Sequence, residues 1–164
     1  MPEVGGKTDD RLHFYCNLVM NVFIVGSPMV TAAAMAEDTR RYNKQVIECR
    51  QMLDAIEGKT NAWSNHPCTL QYKDHKLWLD QYRRCLIAYK EGKYGKAFWH
   101  STIANFVKPH FHTRAFYNQM KRRLFTKSSY HYSQWANLNM SEENWYWSPK
   151  EQKIIKYVNG KRQD

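Results

Sequence analysis

The chain has 164 residues, enough for one domain with a proper core, and its 43% apolar content excludes a disordered polymer. Lysine and arginine outnumber aspartate and glutamate by 25 to 15, a formal charge of +10 that points to a polyanion, either nucleic acid or an acidic membrane surface. No apolar run approaches the roughly 18 residues needed to span a bilayer, and the first apolar stretch is preceded by acids where a signal peptide carries bases, so a cytoplasmic protein is expected.

Residues 1–19 read as an N-terminal extension, because "MPEVGGKTDD" is polar and glycine-containing and "RLHFYCNLV" follows it loosely. Residues 20–164 then form a single domain. Met20 opens "MNVFIVGSP", a β-prone run ended by Gly26 and Pro28, which predicts a short strand or an extended segment laid on the body. Met20 is also a conceivable internal start.

Pro28 fits the first turn of a helix running to about Glu57. Its apolar stripe is Tyr42, Val46, Cys49, Leu53 and Ile56, at alternating spacings of four and three. Arg41, Lys44, Gln45 and Glu48 fall on the flank beside that stripe, with Glu48 half shielded at the edge of the core. Gly58 ends the helix. A second helix is predicted from Pro67 to Glu91, capped by Asn65 or His66, with a stripe of Cys68, Tyr72, His75, Leu79, Tyr82, Leu86 and Tyr89. "EGKYGK" breaks it. "AFWHSTIANFV" makes a third helical stretch, "HTRAFYNQMKRRLF" a fourth, and "YHYSQWANL" a short one. "SEENWYW" reads as the start of a last turn before "SPKEQKIIKYV". These elements predict a mainly α, compact single-domain helical bundle.

Cys16, Cys49, Cys68 and Cys85 are widely spaced with no CxxC, the pattern of buried free thiols in a reducing compartment. Between Glu91 and Glu142 there is no acid, while Lys93, Lys96, Lys108, Arg114, Lys121, Arg122, Arg123 and Lys127 supply cations among many aromatics. Cations neutralise phosphates and aromatic faces stack on unpaired bases, so the block predicts nucleic-acid contact, although most of its aromatics belong to a core. His110 and His112 stand two apart, a spacing that does not share a helix face, and no HExxH or ligand quartet accompanies them. No metal is expected. No Gly-rich phosphate loop or nucleophile elbow is present, so no nucleotide cofactor is expected either.

One cluster carries chemistry. In "EDTRRYNKQVIECRQML" a lone carboxylate, Glu48, stands among Arg40, Arg41, Lys44 and Arg50. It is either a solvated ion pair with Lys44 or Arg41, or a general base in a site built for phosphate. That segment, together with "HPCTLQYKDHKLWLDQYRRCL" and the closing "YHYSQWANLNMSEENWYW", resembles the phage-type pyrimidine-dimer DNA glycosylases and their relatives over roughly residues 20–147. The resemblance implies an all-helical enzyme that kinks duplex DNA and removes a damaged or modified pyrimidine, with or without cleavage of the abasic strand. It implies a catalytic carboxylate at Glu48 and phosphate clamps at Arg40, Arg41 and Lys44, with Arg50 at the edge of the set. Lys93, Lys96, Arg114, Lys121, Arg122 and Arg123 are DNA-binding candidates from the charge of the acid-free block alone. The family attacks the sugar with an N-terminal α-amine, and some nineteen residues precede the aligned start here. Three readings follow: Lys44 replaces that amine, Glu48 activates water, or the fold binds DNA without cutting it. Outside the family, a non-catalytic nucleic-acid-binding protein and a ribonucleoprotein subunit are the alternatives.

Overall fold

The computed structural model describes residues 22–92, 107–138, 143–148, 150–151, 153–159 and 161–163. The extension, Cys16 and nearly all of the third helical stretch lie outside them. The chain is mainly helical. Residues 22–25 run extended into α1 (Pro28–Met35), then α2 (Thr39–Ile56), α3 (Pro67–Tyr72), a 3-10 turn at Lys73–His75 and α4 (Lys76–Lys90). After these come α5 (Arg114–Lys127), a 3-10 turn at Ser133–Trp135, and strands β1 (Glu143–Ser148), β2 (Lys153–Val158) and β3 (Lys161–Gln163).

The first predicted helix is two helices. Ser27 caps α1 by accepting from the Val30 N–H, with Pro28 at the first turn. The chain then breaks at residues 36–38, where Asp38 accepts from the Arg41 N–H and starts α2. An aspartate in this position competes for helical backbone groups and is better placed as a cap than in a helix interior. Gly58, at φ +74°, follows the end of α2. His66 caps α3 through Nδ1, which accepts from the Cys68 N–H at 3.2 Å.

Val22, Phe23, Ile24 and Val25 are all buried, and they form no strand. A buried extended segment still has to satisfy its backbone. Here side chains do it: the Phe23 N–H donates to Gln45 Oε1 at 2.7 Å, the Phe23 carbonyl accepts from the Tyr82 hydroxyl at 2.6 Å, and the Val25 N–H donates to Thr31 Oγ1 at 3.0 Å. The segment therefore ties α2, α4 and α1 together where a sheet partner would otherwise be needed.

This covering segment widens the buried face of α2 beyond its apolar stripe. Tyr42, Gln45, Glu48, Cys49, Met52, Leu53 and Ala55 are buried, whereas Val46 and Ile56 are only partly so. Across the core, α1 and α2 pack on α4, and the Tyr42 hydroxyl donates to the Leu86 carbonyl at 2.5 Å. Tyr72, Tyr82 and Tyr132 are wholly enclosed, each with its hydroxyl bonded, as a buried phenol requires. Cys49 and Cys85 are buried thiols, and Cys68 is partly exposed.

The C-terminal end departs from the predicted bundle. Where a last turn was expected, β1, β2 and β3 form an antiparallel sheet in that order, with Glu143 opposite Val158 and Ser148 opposite Lys153. The aromatic and β-branched runs "NWYW" and "IIKYV" flank "SPKEQ", a hairpin composition that outweighs the helical start signal of Ser141 and the two glutamates. β1 lies against α5 and α3, which joins the sheet to the helical body.

Candidate active site

α2 carries Glu48 on its inner face, and the residue is only 8% exposed. The extended segment closes over that flank through Phe23 and Gln45, one turn before Glu48. Lys44, also one turn back, brings Nζ to 3.6 Å from Glu48 Oε1 while staying 62% exposed itself. The C-terminal end of α5 arrives from the other side: Lys127 Nζ lies over the Phe23 ring at 6.0 Å from its centroid. Arg41 Nη2 donates to the Lys127 carbonyl at 3.0 Å, fastening the end of α5 to α2.

Burial pushes the Glu48 carboxyl above the usual carboxylate range, against the opposing pull of Lys44 and Lys127. Lys127 moves the other way. Although its side chain reaches solvent, desolvation lowers its amine below the ordinary lysine value, and the charges of Arg41, Lys44 and Arg123 add to this against the pull of Glu48. A carboxyl group raised and an amine lowered, within each other's field, form an acid–base pair poised nearer neutrality than either would be in water.

Asp38 organises the rim. It is 3% exposed and accepts from Arg41 Nη1 and from the Tyr132 hydroxyl, both at 2.9 Å. Burial raises the Asp38 carboxyl, but the hydrogen bonds from Arg41 and Tyr132 outweigh it and hold the group below its ordinary value. Arg41 is thereby oriented with one nitrogen on Asp38 and the other on the carbonyl of Lys127.

Of the residues singled out in the sequence, Glu48, Lys44 and Arg41 come together. Arg41 pairs with Asp38 rather than with Glu48. Arg40 is exposed on α2 toward one side of the cluster, while Arg50 lies on the far side of the helix in a 3.5 Å pair with Asp54. On α5, Arg123 stands one turn before Lys127 and acts on its charge. Arg114 and Lys121 fall well round the helix, with Lys121 Nζ over the Trp135 ring at 5.9 Å, and Arg122 is exposed between the two sides. Lys93 and Lys96 lie outside the described residues.

Lys127 and Asp38 gave no local signal. Lys127 is one more cation of the acid-free block, and Asp38 looks like one acid of a mixed helix. Among the described residues, the interleaved aromatics Phe111, Phe116 and Tyr132 are buried, whereas Tyr130, three residues past Lys127, is 86% exposed. His112 is buried, bonded through Nε2 to the Tyr72 hydroxyl at 2.7 Å, and its neighbour His110 is exposed. Among the described residues no group of three or more His, Cys, Asp or Glu could hold a metal ion, and no helix is long and apolar enough to cross a membrane. Two shallow depressions line the opposite side of α2, around Tyr42, Tyr89 and Lys90 in one and Val46, Ile47 and Ile87 in the other, away from Glu48.

The fold thus brings together a shielded carboxylate, an amine 3.6 Å from it and a guanidinium held between Asp38 and the end of α5, groups whose charges suit an anion. Residues 20–91, the segment that carries α1 to α4 and Glu48, match the family described as pyrimidine dimer DNA glycosylase. The match spans 72 of the 164 residues, and over that segment the chain is similar to that family. Neither the curated proteins nor the solved structures give a match.

Proposed function

We propose that the protein is a DNA N-glycosylase that removes a damaged or modified pyrimidine from duplex DNA. The observation that carries this reading is the buried Glu48 beside Lys44, inside the segment related to the pyrimidine dimer DNA glycosylases. Breaking the C1′–N1 bond sends its electron pair to the base, which leaves with a proton, and positive charge develops on C1′ and O4′. Glu48 faces that charge and takes up the proton released when a nucleophile adds at C1′. Arg40, Arg41, Lys44 and Arg123 contact the phosphates on either side, and the whole of residues 20–164 serves as one DNA-binding body. Flipping or kinking costs a few kcal/mol, which phosphate contacts offset. The exposed ring of Tyr130 gives an unpaired base a face to stack on.

The test is base release from duplex DNA carrying cyclobutane pyrimidine dimers, read as strand breaks after hot alkali, for wild type and Glu48→Gln. Loss of a proton-handling carboxylate should slow release by roughly 100-fold or more while binding holds. Equal release by both proteins sinks the role of Glu48. Tight, salt-dependent binding by wild type with no release on dimer-bearing or phage-modified DNA would leave a non-catalytic DNA-binding protein.

A further inference from the structure

A glycosylase that goes on to cut the abasic strand needs an amine to hold the sugar as an imine, and the position of that amine is the open question of this site. We infer that Lys127, at the end of α5, is the amine that attacks C1′ of the target nucleotide, with Glu48 as its proton acceptor. This rests on the glycosylase reading above.

The geometry singles out Lys127 among the cations of the site. Its Nζ lies over the Phe23 ring, and Phe23 is held by Gln45, one turn from Glu48 on α2. Its backbone carbonyl is gripped by Arg41 Nη2 at 3.0 Å, so the main chain at this residue is fastened to α2. The amine still reaches solvent, as an attacking group must. Lys44 has the other role: its side chain is 62% exposed and already engaged with Glu48 as an i, i+4 ion pair. Nucleophilic attack needs a free lone pair, which a partly desolvated amine among Arg41, Lys44 and Arg123 supplies more readily than an ammonium in open solvent.

The step balances without any co-reactant beyond water. The lone pair of Lys127 Nζ forms a bond to C1′ as the glycosidic bond breaks, and the base leaves with the pair and a proton. Nζ gives up a proton to Glu48, which passes it to O4′ as the ring opens, leaving a protonated imine between C1′ and Nζ and Glu48 again a carboxylate. Loss of a C2′ proton to Glu48 then expels the 3′ phosphate from C3′, and hydrolysis of the imine returns the lysine. No oxidation state changes.

The experiment is borohydride trapping of the full chain on duplex DNA with a single abasic site, beside the hot-alkali assay on dimer-bearing duplex. Wild type, Lys127→Ala, Lys127→Arg and Lys44→Ala are compared, and the trapped wild-type adduct is mapped by peptide mass. The expected result is an adduct on Lys127, its loss by at least about 100-fold in both Lys127 variants, and only a few-fold loss in Lys44→Ala. Lys127→Arg keeps the charge, so its DNA affinity should stay within a few-fold. The trapping rate of wild type should rise with pH and half-saturate below the ordinary lysine value of about 10.4. Mapping to Lys44, to another lysine or to an α-amine overturns the assignment, as does wild-type adduct yield from Lys127→Arg. Base release with no wild-type adduct overturns the imine and leaves the glycosylase standing. Absence of both adduct and base release overturns both.

Discussion

Asp38 gives the sharpest test of how the rim of the site is held. Its carboxylate caps α2 and accepts from Arg41 Nη1 and the Tyr132 hydroxyl, with only 3% of the residue exposed. Asp38→Ala removes the cap, worth about 0.5–2 kcal/mol, and orphans a buried phenol, which costs about 1–3 kcal/mol. The expected loss is about 1.5–5 kcal/mol, read as a shift of the urea midpoint at unchanged slope. Tyr132→Phe alone removes one hydrogen bond to a charged group, about 1.5–3 kcal/mol. Added to Asp38→Ala, the same change should cost little, because the hydroxyl it removes is already unpaired. The coupling between the two sites should therefore reach at least about 1 kcal/mol, whereas independent sites add within about 0.5 kcal/mol. Asp38→Asn keeps an acceptor and isolates the charge. Since the folded carboxyl is held below its unfolded value of about 3.9, its contribution is present above that pH and is lost as pH falls through the folded value. The gap between wild type and Asp38→Asn should narrow accordingly below about pH 4. Additive costs for Asp38→Ala and Tyr132→Phe would refute the clamp.

Further outcomes follow from other parts of the structure. Burial, with the nearby charges of His75, Lys108 and His110, pushes the buried His112 imidazole down to about 3. The unfolded chain, near 6.5, binds the proton first, so stability is complete above about pH 6.5 and falls toward pH 3. Replacing His112 and Tyr72 together by Phe should flatten that dependence in a pH series of urea midpoints; an unchanged slope assigns the dependence elsewhere. Gln45→Leu leaves the buried Phe23 N–H unpaired and should cost about 1–3 kcal/mol in the same assay, with no loss if the extended segment is held in some other way. Arg123→Gln should lower the slope of log K against log salt for duplex DNA by about 1, while Arg50→Gln, on the far side of α2, leaves it unchanged. Tyr130→Ala should weaken binding to dimer-bearing duplex by about 1–3 kcal/mol and bind intact duplex as wild type does, measured by anisotropy.

Much of the helical frame is legible along the chain because it depends on local chemistry. Pro28 and Pro67 mark first turns, Gly58 marks an end, and the spacing of Tyr72, Leu79, Tyr82 and Leu86 sets the inner face of α3 and α4. The neighbourhood of Glu48, Lys44 and Arg41 is legible for the same reason, since residues three to four apart on one helix must meet. The sequence predicts one helix running through Asp38, and its cap and its partners Arg41 and Tyr132, the latter 94 residues away, emerge only in the fold. The C-terminal hairpin was obscured by a helix-start signal that pairing between the two neighbouring strands overrides.

By itself the sequence determined a basic, mainly helical protein with one carboxylate set among cations, because charge, capping and helical period are short-range properties. Tertiary structure decided what that carboxylate experiences. The extended segment at Phe23 and the end of α5 at Lys127 converge on α2 from 22 residues before Gln45 and 86 residues after Arg41. Only that convergence desolvates Glu48 and Lys127, and desolvation, which no local pattern encodes, is what turns a surface ion pair into a candidate acid–base pair.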